Sequence, residues 1–230
     1  MSNENALKKI RNTIFKQYPD IVVPSGHRLS PPPPAIMFID EQNLMETAKQ
    51  LSFQVDYLKL RDLFSQFFAI EDCWIFTSEI SVDIAKGYYI REEHGRQGMN
   101  IVPNIKHLTW LSRNGFKLCT KPIKIFKDKN KEFQMKGNLD VDMAVYAMRY
   151  SRYAKHVFLF TGDGDFMPLV ESLQYESKKV TAVSTTSKVE HIPIAKTFQE
   201  KVDYFLDLND LRPYIIRDRY EQTSDYSSFR

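Results

Sequence analysis

The sequence predicts an α/β chain with a mostly parallel sheet and helices on both of its faces. Two features predict the class. Short, continuous apolar runs alternate with segments of helical periodicity, and the links between most of them are short. A third feature predicts where the chemistry sits: two of the apolar runs end in aspartates, and in open α/β sheets the working site lies beyond the carboxyl ends of the strands. With 230 residues, 43% hydrophobic and 27% charged, the chain has enough length for one main domain and an appendage. That composition excludes a disordered, collagen-like or disulfide-scaffold protein.

The elements follow in order. Residues 5–17 place Ala6, Leu7, Ile10, Ile14 and Phe15 at helical spacing. Four consecutive prolines, Pro31 to Pro34, then stop any helix and stiffen the chain as a spacer. The expected division is therefore an N-terminal helix and Pro-rich linker at 1–34, a main domain at 35–212, and a charged, flexible tail at 213–230. Ala35–Asp40 (AIMFID) suits a buried parallel strand. Asn43–Leu51 and Asp56–Phe68 read as helices, Asp72–Ile80 as a strand, and residues 84–100 as an irregular loop. Pro103–Arg113 reads as a helix stopped by Asn114–Gly115. Phe116–Phe126, Val157–Thr161, Lys179–Val183 and Tyr204–Leu208 are strand-like; Phe166–Tyr175 and Ile192–Lys201 are helical.

Asp40 directly follows the first apolar run, and Asp163 and Asp165 follow VFLF in the string TGDGDF. Asp140 and Asp142 open a further helix in LDVDMAVYAMRY, where they also complement the helix dipole. Carboxylates gathered in one cleft repel one another unless a cation joins them. Oxygen-only ligands suit Mg²⁺ or Mn²⁺, ions that activate water and stabilise the leaving oxygen of a phosphodiester. The alternative use of each Asp is to cap a helix or end a turn.

The strings FIDEQNL (38–44), LSRNGFKLCTKP (111–122), KGNLDVDMAVYAM (136–148) and TGDGDFMPLV (161–170), followed by SKKVTAVS (177–184), resemble the NYN/LabA-like branch of the PIN-domain nuclease superfamily. The likeness runs from about residue 35 to 210. It implies a PIN-like three-layer α/β/α sandwich and divalent-metal-dependent cleavage of RNA. Carried over by position, the acidic set is Asp40, Asp140, Asp163 and Asp165, with Asn43 as the polar residue beside the first aspartate. The chain departs from the family at Glu41, where a small residue is usual. It departs again at Tyr146, where many members carry an aspartate. Asp142 lies one turn earlier, on roughly the same helix face, and is a substitute ligand.

Between Lys121 and Lys136, six lysines with Phe126 and Phe133 interleaved form a hairpin or edge extension. Such lysines hold phosphates that carboxylates repel, and they also protect an edge strand from aggregation. Lys121, Lys124 and Lys136, with Asn43 and Thr161, are the expected substrate contacts. Arg91, His94 and Arg96 of the 84–100 loop form a second candidate surface.

No P-loop, dinucleotide fingerprint, GxSxG or HExxH string is present. His107 and His191 read as surface or packing residues, and Cys73 and Cys119 as buried free thiols. The net charge of +3 neither demands nor excludes nucleic acid. No apolar run approaches the roughly 20 residues of a membrane span, and MSNENALKKI lacks the features of a signal peptide.

The expectation is a cytoplasmic, metal-dependent ribonuclease. Its expected partners are RNA, a second copy in a homodimer, and a protein met by the N-terminal helix and Pro-rich segment; no membrane is expected. A catalytically silent PIN-like binding or regulatory module is the rival reading, and a Toprim-like phosphoryl-transfer domain a weaker one.

Overall fold

Five successive apolar residues, Ala35 to Ile39, need cover on both faces, and they receive it at the centre of the sheet. In the computed structural model, which describes residues 3–19, 31–81, 103–127, 133–136, 139–186 and 196–217, they form most of β1 (Pro34–Asp40). The other strands are β2 (Ala69–Glu79), β3 (Lys117–Pro122), β4 (Lys124–Lys127), β5 (Phe133–Lys136), β6 (His156–Phe160), β7 (Lys179–Ser184) and β8 (Tyr204–Asp207). Six of them make an all-parallel sheet in the order β3-β2-β1-β6-β7-β8. The expected single strand over 116–126 is instead two, and β4 turns away to pair antiparallel with β5 in the expected hairpin.

Strand alternation divides the core into two layers. Ala35, Met37, Ile39, Phe158 and Phe160 face one side. They meet α1 (Asn3–Thr13), α2 (Glu41–Gln50), α3 (Tyr57–Ser65), α4 (Ile105–Arg113) and α8 (Leu208–Ile215). Ile36, Phe38, Val157 and Leu159 face the other, against α5 (Asp140–Tyr150), α6 (Met167–Tyr175) and α7 (Lys196–Lys201). The result is a three-layer α/β/α sandwich. Both cysteines are free and buried. Among the described residues no helix is long and apolar enough to cross a membrane.

Caps fix several helix starts. Asp40 accepts from the Asn43 amide at 3.1 Å, Asp56 from Lys59 at 3.0 Å and Asp207 from Asn209 at 2.9 Å. The stop at Asn114–Gly115 is observed, with Gly115 at φ +82°, a conformation that favours glycine. One helix escapes the periodicity reading: α8 is eight residues long and contains Pro213. It forms because Leu208, Leu211 and Ile215 are fully buried. The chain beyond Pro213 is held as far as Arg217, whose amide donates to the Gln54 carbonyl at 2.9 Å.

The apolar residues of the N-terminal segment are used inside this chain. Ile10 and Ile14 are buried, and Phe15 and Tyr18 are fully covered. Phe15 packs against Phe64, Phe67 and Phe68 at ring-centroid distances of 5.5, 4.7 and 5.9 Å. The Tyr18 hydroxyl lies 2.6 Å from Thr181 Oγ1, tying this segment to β7 across the sheet face. Phe15→Ala is therefore expected to lower unfolding free energy by about 3–5 kcal/mol in urea titrations, the loss typical of a buried phenylalanine.

Candidate functional site

The strand order reverses between β1 and β6, and their carboxyl ends lie side by side, with Ile39 paired to Phe160. Asp40 stands one residue past that pair, and Thr161, Gly162 and Asp163 follow on the other strand. Asn43 joins the two ends. Its amide caps onto Asp40, and its side-chain oxygen accepts from the Gly162 amide at 3.1 Å. Asp163 caps the next turn, accepting from the Asp165 amide at 2.9 Å, while its own amide donates to Thr161 Oγ1 at 3.2 Å. Each aspartate thus caps a turn through one oxygen, so the capping use and a ligand use are not exclusive.

Beside Asp40 opens a cleft of about 210 Å³. Asn43 and Glu46 line it from α2, Thr77 and Ser78 from β2, and Asp140 from α5. Asn104 holds the β2 rim: its side chain donates to the Ser78 carbonyl and accepts from the Ile80 amide, both at 2.8 Å. Burial, together with the charges of Asp140 and Asp163, pushes the Asp40 carboxyl up to about 6, against the lowering effect of the Asn43 amide. Asp40 and Asp140 thus share the cleft, and Asp163 lies near enough for its charge to act on Asp40.

The other sequence-selected residues stand as follows. Asp165 is exposed. Asp142 forms an ion pair with Lys121, so these two satisfy each other across α5 and β3. Thr161 is fully buried and serves the turn rather than the surface. The backbones of Lys124 and Lys136 pair at one end of the β4–β5 ribbon. Arg91, His94, Arg96 and His191 lie outside the described residues. Among the described residues, no three His, Cys, Asp or Glu side chains are placed to hold one metal ion together.

Glu46, Thr77 and Ser78 were not anticipated. Glu46 was accessible in principle, because it sits one helical turn after Asn43. Glu41 and His107 have a role that spacing does not reveal. Glu41 is 3% exposed, and its Oε1 accepts from Tyr57 at 3.0 Å and from His107 Nε2 at 2.7 Å. Burial alone would raise this carboxyl. Hydrogen bonds from His107, Thr77 and Tyr57 and the charge of His107 outweigh it and hold Glu41 below its ordinary value. His107, read from sequence as a surface or packing residue, is thus a partner of the residue next to Asp40.

The sequence matches the NYN domain over residues 34–209. The chain belongs to the NYN family. NYN domains are PIN-like nucleases by family, and the LabA-like relationship is supported by a curated relative. That relative is the low amplitude and bright protein LabA of Synechococcus elongatus, 33% identical over 104 residues. The match covers 44% of this chain and 53% of the relative, so the chain spans about half of that protein's length. A solved protein of unknown function from Vibrio parahaemolyticus shares the fold, with a TM-score of 0.54 and 22% identity. That likeness covers 79% of this chain and 96% of the other.

Two stability measurements follow for this NYN domain. Asp40→Asn keeps a capping oxygen but removes a disfavoured charge, so in EDTA at pH 8 it should stabilise the fold by up to about 3 kcal/mol. The native state holds the Asp40 proton more tightly between its ordinary 3.8 and about 6. The mutant's advantage should therefore shrink as pH falls through that window. Glu41→Gln has the opposite sign. It should cost about 1–3 kcal/mol near neutrality, as expected for a disrupted buried network. Because the native carboxyl lies below 4.5, this difference should vanish only as pH drops beneath that value.

Proposed function

We propose that this NYN domain is a divalent-metal-dependent ribonuclease that hydrolyses RNA phosphodiester bonds at the junction of β1 and β6. The observation that carries the reading is that Asp40 and Asp140 line one cleft and that the charges of Asp140 and Asp163 both act on the buried Asp40 carboxyl. Such a set is electrostatically costly by itself and becomes favourable once a cation joins it. The donors are carboxylate and carboxamide oxygens, which fit Mg²⁺ or Mn²⁺ rather than a softer ion.

In this reading Asp40, Asp140 and Asp163 would hold the ion, with Asp165 on the neighbouring turn as a further carboxylate. The ion supplies positive charge that eases deprotonation of water and stabilises the departing oxygen. Asn43 keeps the strand ends at a fixed separation. Ser78 offers a hydroxyl on the opposite wall, suited to a phosphate or ribose oxygen, while the Thr77 hydroxyl is used by Glu41. Lys121 is available to a phosphate after leaving Asp142, since an exposed ion pair is weak in water. Lys124 and Lys136 are assigned to the same strand of RNA by their place in the basic hairpin.

The second reading, a silent RNA-binding NYN module, is favoured by the pairing of Asp142 with Lys121 and because, among the described residues, no three acids are placed to hold one ion together. Cleavage of an end-labelled unstructured RNA separates the two. The nuclease cuts in Mn²⁺ or Mg²⁺, stops in EDTA, and loses about 100-fold or more in Asp163→Asn, the several kcal/mol a metal contributes. Mn²⁺ should also raise the Tm of the wild type and not of Asp40→Asn. RNA binding without cutting, and without a metal-induced shift in Tm, selects the silent module.

A further inference from the structure

The wall of the cleft continues into a row of rings that the aspartates do not use. β2 and β3 run in register, setting Trp74, Phe76 and Ser78 beside Lys117, Cys119 and Lys121. Alternation puts these six residues on one sheet face, and that face is covered by α5. From α5, Asp142, Tyr146 and Tyr150 descend over it at successive four-residue steps. Phe76 lines the cleft and lies 5.7 Å from the Tyr146 ring. Tyr146 lies 5.0 Å from Trp74 and 5.3 Å from Tyr150. Tyr150 stacks on Trp74 at 4.8 Å and 27°.

Cations border the row along its length. Lys117 Nζ sits 5.5 Å from the Trp74 ring centroid, and the Arg149 guanidinium 5.6 Å from that of Tyr150. Lys121 stands at the end nearer the cleft, in its pair with Asp142. Lys117 is likewise paired, with Asp72 at 2.8 Å. β3 is the sheet's edge, and both tyrosines are half-buried while Lys117 and Arg149 are exposed. Tyr146 and Tyr150 keep part of their surface in solvent, whereas Phe158 and Phe160 at the sheet centre are fully covered.

We propose that this row is a binding track for single-stranded RNA, with unpaired bases stacking along Tyr146 and Tyr150 and phosphates meeting Lys117, Lys121 and Arg149. The proposal rests on the ribonuclease reading and deepens it, naming the side chains that would lead a strand into the cleft. Aromatic faces accept any base, because every base presents a π-face. A duplex hides those faces within its own stack. Phosphates compete for the two paired lysines at little penalty, since exposed ion pairs contribute little in water.

The test is fluorescence anisotropy in the Asp163→Asn background, with a labelled RNA of about ten nucleotides. Three forms are compared: the single strand, the same strand in a duplex, and a strand carrying abasic sites. The single strand should bind at least about tenfold tighter than either of the others, the scale of one stacked base. Tyr150→Leu and Tyr146→Leu should abolish the preference for bases over abasic sites, and Tyr150→Phe should retain it. Lys117→Ala, at an exposed position, guards against misfolding of the leucine variants. It should weaken every form and lower the salt slope by about one ion.

A preference for bases that survives both leucine variants, or a duplex that binds as well as the single strand, overturns the track. RNA that is cut in Mn²⁺ without any base preference sinks the track alone and leaves the nuclease standing. RNA that neither binds nor is cut removes the ribonuclease reading and the track with it.

Discussion

One side chain holds the two halves of this sheet to a common geometry where it matters. The Asn43 carboxamide reaches from the first turn of α2 to the amide of Gly162, while the Asn43 backbone amide is bound by Asp40. The turn after β1 and the turn after β6 are thereby joined across the point at which strand order reverses. Parallel strands leave their carboxyl ends as irregular turns, and without such a bridge each turn would relax independently. Its placement also explains why Asp40 and Asp163 can act as caps and still face the same region. Each uses one oxygen for the backbone of its own turn.

That arrangement works against stability. Burial, with the charges of Asp140 and Asp163 added to it, raises Asp40 to about 6. The surrounding structure compensates on the opposite side of α2. Glu41, the very next residue, is held by Tyr57 from α3, His107 from α4 and Thr77 from β2. Adjacent carboxylates therefore have opposite environments: one is over-satisfied and pushed down, the other crowded and pushed up. A strained group persists only where its neighbours over-determine its position, and the Glu41 network provides that restraint one bond away. Beneath it, the Phe15 and Tyr18 rings close the same core layer.

How much of this was legible in the sequence varies with the range of the interaction. The strands were legible because AIMFI and HVFLF are continuous apolar runs, which only doubly covered strands tolerate. The aspartates were legible because they immediately follow those runs. The hairpin was legible from its breaks and charges. Glu41 with His107 was not, because the partners are 66 positions apart and no local period links them. The pairing of Asp142 with Lys121 was hidden for the same reason, since it depends on how α5 crosses β3. The helix at Leu208–Ile215 was masked by Pro213, and it exists because tertiary burial overrides propensity. Phe15 joins the apolar face that helical spacing marks although the helix ends at Thr13, whereas the insertion of Tyr18 into the core followed from no helical pattern.

Tyr146 shows how one position can serve both layers of this design. Its phenol takes a turn of α5 where the family resemblance anticipates a carboxylate, directly after the residues that line the cleft. A carboxylate there would add a further negative charge near Asp142 and to the repulsion that, together with burial, lifts Asp40. The ring instead closes against Phe76 and Trp74, extending the cleft's apolar wall toward the sheet edge. The substitution exchanges charge for surface, and the two consequences differ in sign for an anionic polymer. Fewer carboxylates mean less to be neutralised by a cation, and more aromatic face means more for an unpaired base to contact. Asp142, on the same side of α5, pairs instead with Lys121. On this argument the departure at Tyr146 trades a carboxylate for aromatic surface beside the cleft, while Asp40 and Asp163 keep their places at the strand ends and Asp140 its place at the start of α5.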